Sequence, residues 1–183
     1  MARTGMRSDG KANRDRILDA AEDVFGRGGE AASTEEVARL AGVGIATVFR
    51  HFPTKAALLQ AVLIRRYERL RTEAETLLGH EDPGAAFYAF FRHLVADAAT
   101  KIAIGEALLD AGGDRDGEAH EAANGLRRAV GVLLERAQRA GAVRADAELP
   151  EVYALLVATS RAAAIDEEVR ARMLAIVFDG LAR

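Results

Sequence analysis

No cysteine occurs among the 183 residues, which excludes thiol nucleophiles, disulfides and thiolate metal sites. No apolar run approaches the roughly 18 residues of a membrane span, and the polar, basic start is not followed by a signal-peptide core. Cytoplasmic residence, away from membranes, is the expectation. The four histidines, His51, His80, His93 and His120, lack paired metal-ligand spacing, no glycine-rich phosphate loop follows a strand, and no nucleophile elbow occurs. Neither catalysis, a bound metal nor a cofactor is expected. Strand-like alternation and internal repeats are also missing.

Half of the residues are apolar, which argues against disorder and suffices for one large helical core or two small domains. The densest information lies in Ser33 to Lys55, STEEVARLAGVGIATVFRHFPTK. Ser33 and Glu36 have capping-box spacing, so a helix begins near Thr34. Its apolar residues Val37, Ala38, Leu40 and Ala41 predict one buried side, and Gly42 sits where a helix ends in the left-handed region. Val43 fills the corner. Helix propensity resumes at Ile45, Val48 and Phe52 recur at inward-facing spacing, and Pro53 stops the second helix. Ala46, Thr47, Phe49, Arg50 and His51 are left mostly outward. Two short helices about a glycine corner read as a helix-turn-helix that binds DNA.

Charge is divided along the chain in the same sense. Met1 to Arg71 carries 13 basic and 9 acidic residues, a net +4, whereas Thr72 to Arg183 carries 12 and 19, a net −7. Local basic patches release counterions from nucleic acid, so an acidic distal region is compatible with DNA binding. Arg3, Arg7, Lys11, Arg14 and Arg16 precede or open the first helix, as a minor-groove arm or a solvating tail.

The expected architecture is all-α. The first helix spans roughly Arg14 to Arg27, with Ile17, Leu18, Ala21, Val24 and Phe25 on one face and Gly28 with Gly29 ending it. A long fourth helix from about Lys55 to Leu78, with Leu58, Leu59, Val62, Leu63, Leu70 and Leu77 as its stripe, would measure roughly 36 Å. Further helices are predicted near Pro83 to Ala99, Ile102 to Asp110, Glu118 to Ala140, Leu149 to Ala164 and Glu167 to Leu181.

Within Asn13 to Leu63 the chain resembles the TetR family of bacterial one-component transcriptional regulators. RDRILDAAEDVFGRGG is similar to that family's first helix, EEVARLAGV to its second, and ATVFRHFPTKAALL to its recognition helix joined to the fourth. The resemblance implies a DNA-binding domain over residues 12–58, with its helix-turn-helix at about 33–52, joined by the fourth helix to a ligand-binding and dimerisation domain over 80–183. It implies DNA contacts from Thr34, Glu35, Gly44, Ala46, Thr47, Phe49, Arg50, His51 and Lys55. Lys55, at a helix start, suits a phosphate, as does His51. Thr47 suits a thymine methyl or a phosphate, Arg50 a guanine edge or the backbone, and Thr34 a phosphate. Glu35 reads as a cytosine-amino acceptor or a solvated helix-start carboxylate. Phe49 stands where the family usually has a phosphate-bonding tyrosine, and Gly44 replaces the usual polar cap.

In the distal region Phe87, Phe90, Phe91 and Leu94 form the densest aromatic patch outside the head. They read either as plain core or, by family resemblance, as part of a small-molecule pocket with Tyr153 and Arg161, and with Arg92 and His93 as further polar partners. The last two helices are rich in Ala, Leu, Val and Ile, including Val152, Ala163, Val169 and Leu181. Leu155, Leu156, Thr159, Met173, Ile176 and Val177 are the expected homodimer face. Two recognition helices about 34 Å apart would then meet a palindromic operator on double-stranded DNA. Release by an effector and repression are what the resemblance implies; an activator would carry the same residues. A helical protein-interaction module is the alternative reading.

Overall fold

The computed structural model describes residues 3–28, 32–114, 116–161 and 166–182; for Arg161 and the residues before Gly10 it describes the backbone alone. Eight helices occur among the described residues: α1 (Arg3–Arg27), α2 (Thr34–Ala41), α3 (Ile45–His51), α4 (Lys55–Leu77), α5 (Pro83–Asp110), α6 (Glu118–Arg139), α7 (Leu149–Arg161) and α8 (Glu167–Leu181). No strand occurs among those residues. The all-α expectation holds.

Two helices differ from expectation. α1 begins at Arg3 rather than Arg14. The segment ahead of Arg14 has no proline, and its two glycines, at about 1 kcal/mol each, do not end the helix. α5 runs unbroken through Ala99, Thr100 and Lys101, where two helices were expected. That junction holds neither glycine, proline nor a cap, and a single β-branched threonine costs a helix little. The expected Gly29 stop and the stretch Ala163 to Ala164 lie outside the described residues.

The chain forms two compact units. The first comprises the described residues up to 65 together with 100–119, and the second comprises 66–99 together with those from 120 onward. α4 and α5 therefore each contribute to both. In the first unit the core takes Ile17, Leu18, Ala21 and Phe25 from α1, Val37, Ala38 and Ala41 from α2, and Val48 from α3. Leu58, Leu59, Val62 and Leu63 of α4 and Ile104 and Leu108 of α5 are also buried there. A Cβ added at Gly26 of α1 would lie 2.5 Å from the Thr100 methyl, so α5 can approach only because that position has no side chain.

The second unit encloses its own core. Leu70 and Ala74 of α4, Phe87, Phe90, Phe91, Leu94 and Val95 of α5, Leu126, Val130, Leu133 and Leu134 of α6, and Val152 and Leu156 of α7 form one buried cluster with Leu181. The loop after α6 secures the end of α8: the Arg144 amide donates to the Leu181 carbonyl at 2.8 Å, while Gln138 donates to the Arg144 and Ala147 carbonyls at 3.0 and 2.8 Å.

Candidate nucleic-acid interface

The helix-turn-helix is built from its caps. Ser33, extended at φ −127°, accepts the Glu36 amide at 3.2 Å and starts α2. The reciprocal half of the capping box is not formed. Glu36 instead takes the Arg39 guanidinium at 2.8 and 2.5 Å, which holds its carboxyl below the usual range and raises Arg39. A charge-assisted fork three residues away outcompetes a neutral backbone amide. At the other end Gly42 is left-handed at φ 65° and the Val43 amide closes onto the Ala38 carbonyl at 3.0 Å, turning the chain toward α3. Gly44 caps α3 through its backbone alone, its carbonyl accepting Thr47 N at 2.8 Å.

Burial then decides what α3 presents. Val48 and Phe52 are inside, at 0% and 4% exposure, while Ala46, Phe49 and Arg50 are exposed and Thr47 and His51 half-buried. Arg50 has no carboxylate partner among the described residues, which leaves its guanidinium available. Ile45, absent from the expected outward set, is 37% exposed, and Leu40, expected in the buried face of α2, is 46% exposed. In helices this short, residues on the shoulder of the apolar face are not separated from its centre by periodicity.

The remaining expected contacts are placed less evenly. Glu35 is exposed at the start of α2, where a carboxylate suits the helix dipole, but Thr34 beside it is only 7% exposed and has little reach toward a duplex. Lys55 is half-buried. Its ammonium lies 5.0 Å from the Phe25 ring centre and 3.5 Å from the Ala32 carbonyl, so a phosphate must compete with those contacts. Thr54 was missed by sequence reasoning: its hydroxyl accepts the Ala57 amide at 3.0 Å and starts α4. The Pro53-Thr54 pair ahead of a helical run was the available signal. Arg14 was placed only in the basic arm, yet its guanidinium lies 5.2 Å from the Phe52 ring, at the end of α3.

The expected pocket residues are packed. Phe87, Phe90 and Phe91 are 2% exposed and Leu94 3%, closed on one another within the core of the second unit. Phe91 meets Phe178 edge-on at 5.5 Å, and Tyr88 lies 4.7 Å from the same ring. Tyr153 is half-buried beneath the Arg127 guanidinium at 5.1 Å, and burial pushes its hydroxyl up. The Arg161 side chain lies outside the described residues. His93 turns to Glu73 at 2.5 Å, whereas Arg92 covers Phe178 at 5.4 Å. An open cleft of roughly 310 Å³ lies beside that ring, lined also by Arg170, Ala171, Leu174 and Ala175.

The expected dimer face is divided as well. Leu156 and Thr159 are only 2% and 3% exposed in the single chain, and the Thr159 hydroxyl donates back to its own helix at the Leu156 carbonyl. Ile176, at 73%, Val169, at 49%, and Leu155, at 38%, are exposed, with Met173 and Val177 half-buried.

The comparisons with known proteins agree with this architecture. Residues 17–62 match the family described as bacterial regulatory proteins, tetR family, and residues 82–183 match the SbtR-like transcriptional regulator C-terminal domain. A TetR transcription regulatory protein from Mycobacterium vanbaalenii is 39% identical over 97% of this chain and 99% of its own, with a TM-score of 0.80. A TetR transcriptional regulator from Streptomyces coelicolor is 32% identical over 92% and 98%, with a TM-score of 0.77. The HTH-type transcriptional repressor KstR of Rhodococcus jostii is 43% identical over 61 residues, 33% of this chain and 29% of that repressor. The chain spans about a third of the length of the curated relatives it matches. Among the described residues no helix is long and apolar enough to cross a membrane. With both of its regions matched and a 39% identical relative covered end to end, the chain belongs to the tetR family of bacterial regulatory proteins, DNA-binding transcriptional regulators of helix-turn-helix type.

Proposed function

We propose that this regulator acts in the cytoplasm as a homodimeric repressor of a palindromic operator and is released from it by a small-molecule effector, without catalysing a reaction. The observation that carries the DNA half is the exposed side of α3, where Arg50, with no carboxylate partner among the described residues, stands beside Phe49 and Ala46 while Val48 anchors the helix from behind. α3 enters the major groove. Arg50 forks onto a guanine edge, and His51 and Lys55 hold phosphates, with Glu35, Gly44 and Thr47 at the margins of the contact.

Pairing proceeds through Leu155, Val169, Met173, Ile176 and Val177, a face of α7 and α8 that one protomer leaves partly in water. An effector binds the second unit. Because Phe87, Phe90, Phe91 and Leu94 are closed on one another, a ligand must part them, or dock first in the open cleft beside Arg92 and Phe178. A ligand that prefers one state of the second unit changes operator affinity by a coupling of roughly 1–3 kcal/mol, or 5- to 150-fold.

Selection of duplexes from a randomised pool by the full chain, followed by sedimentation of the complex, tests this reading. A two-fold symmetric site bound by two chains supports it; an asymmetric site bound by one chain overturns the dimeric part.

A further inference from the structure

The outer surface of α3 is mostly hydrocarbon. At 100° per residue its exposed positions fall in the order Ile45, Phe49, Ala46, Arg50 across a sector roughly 140° wide, with Ile45 at its border with the buried side held by Val48 and Phe52. Three of those four side chains are hydrocarbon. Ile45 and Phe49, 37% and 43% exposed, stand one turn apart.

In the major groove every base edge offers hydrogen-bonding atoms, and only thymine offers a methyl group. Hydrocarbon pressed against a purine N7, an adenine amino group or a guanine O6 strips water from it and returns no bond, whereas hydrocarbon against a thymine methyl removes two apolar surfaces from water together. The face therefore favours thymine at the positions it covers and disfavours bases whose polar atoms it leaves unpaired. We propose that Ile45 and Phe49 are specificity-determining residues that read thymine methyl groups, beside a guanine met by Arg50. The two side chains are separated by roughly 6 Å along α3, close to two base-pair steps, so the thymines they read lie about that far apart. The inference rests on the groove placement of α3 proposed above.

The test uses the full chain and the duplex it selects from a randomised pool, compared with the same duplex carrying deoxyuridine in place of each thymidine in turn. Uracil pairs as thymine does but lacks the methyl. Affinity is expected to fall about fourfold for each contacted methyl removed, the factor that corresponds to one buried carbon. Ile45→Ala and Phe49→Ala, both at exposed positions, are expected to lose affinity on the thymine duplex and to become indifferent to uracil at their own positions. Affinity unchanged by every uracil substitution overturns the proposal. If Arg50→Ala still relaxes preference at one guanine, groove placement survives that failure; if it does not, the groove placement fails as well.

Discussion

Arg66 of α4 grips Asp97 of α5 along both edges of the carboxylate, Nε to Oδ2 at 2.8 Å and a second guanidinium nitrogen to Oδ1, with only 5% and 8% of the two side chains exposed. The Asp97 carbonyl accepts from the same guanidinium at 3.2 Å. Removing one member strands a buried charge. Asp97→Ala is expected to cost about 3–5 kcal/mol in urea unfolding, whereas Arg66→Met with Asp97→Leu together should cost far less. A single variant within about 0.5 kcal/mol of the parent would contradict the buried pair, since that is the range of an ordinary surface change.

Gly26 gives a prediction whose sign is informative. Glycine to alanine in an open helix gains about 1 kcal/mol, but here the new methyl meets the Thr100 methyl at 2.5 Å. Gly26→Ala should destabilise by about 1–3 kcal/mol, and adding Thr100→Ser should recover most of it. A stabilised Gly26→Ala in thermal melts would mean that α1 and α5 are not in contact there.

Arg144 and Asp146 form a fork at 2.7 and 2.7 Å in the loop after α6, and that hydrogen bond holds the Asp146 carboxyl down to about 2 from its ordinary 3.8. A carboxyl lowered on folding contributes stability that is complete above the unfolded value and is lost as pH falls through the folded one. Asp146→Asn should therefore flatten the loss of stability between about pH 4 and pH 2. Parallel acid-unfolding curves for the two proteins across that window would rule out this contribution.

Ile176 and Leu156 were expected in one dimer face, yet they are 73% and 2% exposed. Ile176→Glu is expected to yield a monomer with unchanged helix content in sedimentation and circular dichroism. Leu156→Ala should instead cost about 2–5 kcal/mol of protomer stability. A dimer that survives Ile176→Glu would move the interface elsewhere.

The helix-turn-helix was legible because its signals are local. Ser33, Gly42 and Pro53 act on their own neighbours, and the structure has each acting there, with Gly42 left-handed and Ser33 capping Glu36. Legibility ended where tertiary contacts decide. Ile45 and Leu40 sit at the edge of apolar faces whose width depends on what packs against them. The Phe87 to Leu94 patch has one hydrophobic pattern whether it lines a pocket or fills a core, and its closed packing with Phe178 and the α6 residues was not legible in that pattern. The beginning of α1 and the continuity of α5 differ for another reason: neither the stretch ahead of Arg14 nor the junction at Thr100 holds a proline that would stop a helix.

Fluorescence-anisotropy binding over a salt series, with the selected duplex against a scrambled one and with Arg50→Ala and Lys55→Ala beside the parent chain, tests the central claim most directly. Groove readout by α3 predicts binding at least about a thousandfold tighter to the selected duplex, with log affinity falling linearly in log salt. Lys55→Ala should weaken both duplexes about equally and reduce the salt slope by about one, while Arg50→Ala should cost about 1–3 kcal/mol on the selected duplex and relax its base preference. Equal affinity for both duplexes, with neither variant altering it, would contradict the claim.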